Sequence, residues 1–193
     1  MVMVKKSPES LRKRALELGA HGARIVKASS VKTGAWVRYK CQFGCGGFGE
    51  RLTCPPYSPL PQETRKILDS YTRAILIHTQ SGAKKDISKI ASQLEKEAFL
   101  AGYYKAFAMG AGPCRLCASC NPKILCRHPE NARPAMEACG IDVFATARNN
   151  GFKIMTLDSA SCKAGCKAGC KAGCKAGCKA GCKAHYFGLV LLE

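Results

Sequence analysis

Apolar positions three and four apart open the chain. Leu11, Ala15 and Leu18 share one face behind Ser7-Pro8-Glu9, where a serine cap and a proline at the first helical position mark a helix start, and Gly19 marks its end. The pattern then shortens to β-forming runs, which predict strands over Ala23 to Ala28 and Ala35 to Lys40. A helix over Gln62 to Ser70 follows the breakers Pro59 and Pro61. Next comes a strand at Ala74 to His78, then a helix from Asp86 with Ile87, Ile90, Ala91, Leu94 and Ala98 on one face, closed by Gly102. A strand at Lys105 to Met109 completes the unit, which predicts a βαβ crossover with two parallel neighbouring strands. Arg133 to Cys139 and Asp142 to Asn149 read as short helices, the second closed by Gly151. Phe152 to Leu157 and Tyr186 to Leu192 read as strands able to pair as a hairpin.

These elements predict an α/β fold: one domain over residues 1–193, with a mixed sheet containing the βαβ crossover and a C-terminal hairpin, and with cysteine-rich loops. The length suits one compact domain with a sizeable core. No run approaches the roughly twenty apolar residues of a membrane helix, and MVMVKKSPES lacks the apolar stretch of a secretory signal. A cytoplasmic protein without membrane contact is expected.

That compartment changes how the 14 cysteines are read, because reduced thiols serve metal or redox chemistry rather than a disulfide framework. Six of them recur every four residues from Cys162 to Cys182, inside a low-complexity Cys-Lys-Ala-Gly insert, residues 159–184, between the last two strands. As a helix, this tract would turn its thiols by about 40° per repeat, so they would spiral instead of forming a face. Its glycines would each cost such a helix roughly 1 kcal/mol. An expansion tolerated in a hairpin loop is the simpler reading; a thiol-rich metal buffer is the alternative.

The formal charge of +18 includes six lysines of that tract, leaving +12 elsewhere, and metal-bound thiolates would lower the field further. A basic surface suits an acidic redox protein or a nucleic acid. No Lys/Arg run exceeds three and no aromatic residues interleave with one, so solvated surface cations are the simpler reading and nucleic acid is not favoured.

Two cysteine groups remain. In KCQFGCGGFGERLTCPP, Gly44, Gly46 and Gly49 fit the spacing of a dinucleotide loop, while Cys41, Cys45 and Cys54 are metal-ligand candidates. A dinucleotide loop must lead into a helix whose amides hold the pyrophosphate, and Pro55-Pro56 forbids a useful helix there. The glycines fit backbone that turns around a metal centre instead. Cys139 is the candidate fourth ligand; its alternative is a small buried residue, and three ligands alone would leave a position open to a substrate.

The second group, GPCRLCASCNPKILC, sets Cys114, Cys117 and Cys120 at C-x2-C-x2-C, with Cys126 as the local fourth ligand beyond the turn at Asn121-Pro122. Three thiolates at that spacing wrap one corner of a cubane, whereas zinc sites present two separated C-x2-C pairs, so the spacing favours iron–sulfur over zinc. Arg115, Arg127 and Arg133 flank this group as possible counter-charges or ordinary surface residues. His78 reads as a satisfied core or rim histidine and His128 as a loop residue near Cys126. No P-loop, G-x-S-x-G or H-E-x-x-H motif occurs.

CQFGCGGFGERLTCPPYSPLPQETRKIL, AGPCRLCASC, CRHPENARPAMEACGIDVFATARNNGFKI and the terminal YFGLVLLE resemble the predicted metal-binding proteins catalogued as domain of unknown function 2284. The resemblance runs from about Trp36 to Glu193 and implies metal binding through these cysteines, with no settled activity attached; the Cys-Lys-Ala-Gly tract is not part of the family pattern. Three functions stay open. One is a redox accessory or electron-transfer protein with one or two 4Fe-4S clusters. Another is a zinc-stabilised module binding nucleic acid or a protein, and the third is an enzyme with an open-site iron–sulfur cluster.

Overall fold

The computed structural model describes residues 5–80, 86–154 and 184–193. Helix α1 (Pro8–Glu17) starts as its sequence predicts: Ser7 Oγ accepts a hydrogen bond from Ser10 N at 3.2 Å. Strand β1 (Gly22–Lys27) follows, then helix α2 (Trp36–Gly44), helix α3 (Pro61–Asp69) and strand β2 (Arg73–Gln80). Asp86 caps helix α4 (Ile87–Leu100) by accepting from Ser88 N at 2.8 Å. Strand β3 (Phe107–Met109), a 3-10 turn (Glu137–Cys139), helix α5 (Val143–Asn149) and strand β4 (His185–Leu191) complete the described chain.

The strands form one sheet in the order β1-β2-β4-β3, and each hydrogen-bonded pairing is antiparallel. One face carries Ile75, Ile77, Ala108 and Val190 and is covered by Leu11 and Ala15 of α1 and Ile90, Leu94 and Ala98 of α4. The other carries Leu76, Met109, Leu189 and Leu191 and is covered by Leu68 of α3, Met136, Ile141 and Ala147. An α/β fold with helical layers on both faces of the sheet results. No helix among the described residues is long and apolar enough to cross a membrane.

Four expectations need correction. Ala35 to Lys40 is not a strand: α2 occupies it, with Val37 buried and Arg38 and Cys41 half-buried on its inner side, while Trp36, Tyr39 and Phe43 are exposed. The crossover β2-α4-β3 does place two strands in the same direction, but they are not neighbours; β4 lies between them, antiparallel to both. With both its edges occupied, β4 has none left for a hairpin with Phe152 to Leu157. Of that segment, Phe152 to Ile154 is not a strand, residues 155–157 lie outside the described residues, and Phe152 packs its ring against His78 and Phe187. Arg133 to Cys139 forms only the closing 3-10 turn. The insert falls outside the described residues, apart from Ala184 at its end.

Candidate metal centre

The first cysteine group is assembled by the end of α2 and the loop behind it. The helix closes with Cys45 N donating to Cys41 O at 3.2 Å, and turns follow at Phe48 N to Cys45 O (3.4 Å) and Cys54 N to Arg51 O (2.9 Å). Gly49, at φ +73°, donates its N–H to Pro55 O at 2.7 Å, a conformation that glycine adopts without steric cost. These turns bring two sulfurs to one place. A Cβ on Gly47 would lie 3.2 Å from Cys54 Sγ and 3.6 Å from Cys45 Sγ, and only 3.1 Å from Pro113 Cβ at the start of the second group. Because the glycine run leaves the C-terminal end of a helix, it lacks the strand-to-helix setting of a dinucleotide loop.

Cys41 faces the 3-10 turn, its Sγ 3.7 Å from Glu137 O. Arg38, one turn earlier in α2, fastens the two elements: its Nη1 donates to Ser58 Oγ at 3.1 Å and to Ala138 O at 3.3 Å, and Ser58 Oγ donates to Ala138 O at 2.6 Å. Burial pushes the Cys41 thiol up to about 11, helped by the neighbouring Cys45, Glu137 and Cys54 and opposed by Arg38. Burial also raises Cys54; Thr53 and Arg51 act against that, Cys45 and Cys114 with it. Cys41, Cys45 and Cys54 therefore share one electrostatic neighbourhood, which Cys114 joins through Cys54.

Cys139 approaches from the core side. It is fully buried in the apolar layer with Leu68, Met136 and Ile141, its carbonyl accepts from Thr64 Oγ1 at 2.7 Å, and burial pushes its thiol up to about 12. Of the other cysteines it interacts with Cys41. Glu137 acts electrostatically on both thiols, raising each; its Oε2 is buried without a hydrogen-bond partner, and burial raises its own pKa.

The second group lies in the loop between β3 and the 3-10 turn. Cys114, Cys117, Cys120 and Cys126 all line one cavity of about 200 Å³, and Arg51 and Thr53 of the first loop form part of its wall. The predicted turn is present: Asn121 Oδ1 accepts from Lys123 N at 3.0 Å and Asn121 O from Ile124 N at 3.2 Å. Cys126 Sγ accepts from His128 N at 3.4 Å, so His128 contributes its backbone amide. Arg127 Nη2 donates to Ser119 O at 3.0 Å across the loop. Arg133 is a counter-charge to a carboxylate rather than to the cysteines: its Nε and Nη2 meet Glu95 Oε2 and Oε1 at 2.5 and 2.6 Å. Glu95 Oε2 also accepts from Ala108 N at 2.8 Å, which anchors the loop's exit to α4 and β3.

All eight described cysteines are free thiols. Among the described residues no three His, Cys, Asp or Glu side chains close around a point that would hold a metal ion. A single tetrahedral zinc with bonds of about 2.3 Å would require sulfurs about 3.8 Å apart, whereas a cubane holds its ligands on the corners of a larger body. The four thiols of the second group line a cavity with room for a metal centre, and Gly47 lets the chain pass close to the sulfurs of Cys45 and Cys54 in the first. His78 stands away from both groups, its Nε2 2.8 Å from His185 Nδ1, and is the satisfied rim histidine its sequence predicts.

Glu95, Glu137, Arg38 and Ser58 escaped the sequence reading. For Glu95 a signal existed, because it sits beside Leu94, Ala91 and Ala98 on the apolar face of α4, where a charge needs a buried partner. The other three act through backbone carbonyls of a turn that no periodicity announces.

A family model described as predicted metal-binding protein, DUF2284, matches residues 24–192. Comparison with curated proteins and with solved structures finds no match.

Proposed function

The chain belongs to this predicted metal-binding family, and from that premise we propose that it binds 4Fe-4S clusters and serves as a redox accessory or electron-transfer protein. The observation that carries the reading is the shared cavity of Cys114, Cys117, Cys120 and Cys126, the C-x2-C-x2-C run with its local fourth thiol. These four are the principal ligands, and Cys41, Cys45 and Cys54 hold a second centre. A bound cluster supplies a one-electron couple whose potential depends on hydrogen bonds to its sulfurs and on nearby charge.

The chain's own groups set those terms. The His128 amide donates to Cys126 Sγ, a bond that lowers electron density on that ligand. Arg51 donates to the Cys117 carbonyl at 3.3 Å and keeps the first loop against the second, so the two centres share a wall. Exposed Lys40, Arg115, Lys123 and Arg127 surround the groups and suit an acidic redox partner. The free thiols suit a reducing cytoplasm.

Anaerobic purification with iron, acid-labile sulfide and zinc analysis tests the reading. A brown protein absorbing broadly near about 400 nm, with iron and sulfide in comparable amounts, is expected. A colourless protein carrying zinc and no sulfide overturns it.

A further inference from the structure

Two sulfurs of the first group come together by themselves. A Cβ on Gly47 would lie 3.6 Å from Cys45 Sγ and 3.2 Å from Cys54 Sγ, so the two sulfurs are at most about 7 Å apart. All eight described cysteines are free thiols, and a close pair of thiols is the unit of disulfide chemistry. This pair divides the work as that chemistry requires. Cys45 is exposed at the C-terminal end of α2, where an oxidant in solvent reaches it, and Cys54 is buried behind it. Phe48 N donates to Cys45 O, Gly49 N to Pro55 O and Cys54 N to Arg51 O, and these bonds hold the joining loop in a turn that keeps the thiols together. Cys41 points elsewhere, its sulfur 3.7 Å from Glu137 O.

We propose that Cys45 and Cys54 form a dithiol–disulfide pair that reacts with hydroperoxides. The Cys45 thiolate attacks the peroxide O–O bond and takes one oxygen as a sulfenic acid; the other oxygen picks up a proton and leaves as water or an alcohol. The Cys54 thiol then displaces the sulfenic oxygen. The S–S bond forms, the S–O bond breaks, and the thiol proton leaves with the hydroxyl as water. The two thiols lose two electrons, the peroxide gains them, and a dithiol reductant reverses the change. Rotation of the exposed Cys45 side chain closes the remaining gap to the about 2 Å of the bond. One consequence rests on the iron–sulfur reading: the disulfide takes two of the three thiolates of the second centre, so oxidation releases its metal. The pairing itself stands apart from that reading.

The test treats the full-length protein, as purified and after removal of metal by a chelator, with hydrogen peroxide; free thiols are then blocked and the chain is digested with trypsin. Cleavage after Lys40, Arg51 and Arg65 leaves Cys45 in peptide 41–51 and Cys54 in peptide 52–65, so the expected product is these two peptides joined, a species that dithiothreitol separates. The joined species falls at least about tenfold in C45S and in C54S and is unchanged in C41S, and dimedone traps a Cys45 sulfenic acid in C54S. C45S alters an exposed position, so its loss of the link is not a loss of fold. A link that survives in C45S and disappears in C41S, Cys54 joined to Cys114 instead, or no link in the chelator-treated chain overturns the proposal. Iron and sulfide measured on the same preparation separate the two readings. A chain without iron that forms the link contradicts the cluster and supports the pair, and a chain with iron that forms no link after chelation does the reverse.

Discussion

Arg51 Nη1 donates to the Cys117 carbonyl at 3.3 Å, so the loop bearing Cys45 and Cys54 is fastened to the loop bearing Cys114 to Cys126. Replacing Arg51 by methionine keeps the aliphatic stem and removes the donor. A part-buried hydrogen bond contributes about 1 kcal/mol, which corresponds to roughly fivefold faster loss of metal from the second group to a chelator. The rate of bleaching under excess chelator measures it.

Gly47 joins the two groups by close packing. An alanine Cβ would lie 3.1 Å from Pro113 Cβ and 3.2 Å from Cys54 Sγ, and the proline ring has little room to yield. Overpacking of this kind costs about 1–3 kcal/mol. G47A is expected to lower the thermal midpoint and the metal content together, read by melting and by metal analysis on the same sample.

Glu95 and Arg133 are both largely buried and hold the exit of the second loop. Truncating Glu95 to alanine leaves the guanidinium without its partner and frees the Ala108 amide. A loss of about 3–5 kcal/mol is expected in denaturant unfolding.

His78 makes stability depend on pH. Burial, with His185 and His21 adding to it, holds its pKa down to about 4, below the ordinary histidine value near 6.5. Between those values the unfolded chain binds the proton and the folded chain does not, so stability is complete above about pH 6.5 and falls as pH drops towards 4. The change is about 3 kcal/mol at most. Thermal melts from pH 7 to pH 4.5 check it: the wild type loses stability over this range, and His78→Leu shows a flatter profile.

The elements that declare themselves in the sequence are those whose partners are local. Ser7 and Asp86 cap the helices they announce, and Cys114, Cys117, Cys120 and Cys126, close in sequence, line one cavity. What escaped depends on distant chain. The central place of β4 arises because a C-terminal strand enters between β2 and β3; its apolar run Phe187-Gly188-Leu189-Val190-Leu191, without alternation, is the pattern of a strand covered on both faces. Val37-Arg38-Tyr39-Lys40 alternates apolar and polar like a strand, yet it is helical, and the helix sets Arg38 and Cys41 against the 3-10 turn. Glu137 carries no sequence signal, since its burial is created by the packing of α2 on that turn.

The second cysteine group is the centre of the account, and Cys117 lies in the middle of its run. Iron and acid-labile sulfide per chain, measured on anaerobically purified wild type and Cys117→Ser, test it most directly. Loss of most of one cluster's iron and sulfide in the variant, with lower thermal stability because metal binding contributes to folding, is the predicted result. Iron and sulfide contents unchanged by the substitution would contradict it.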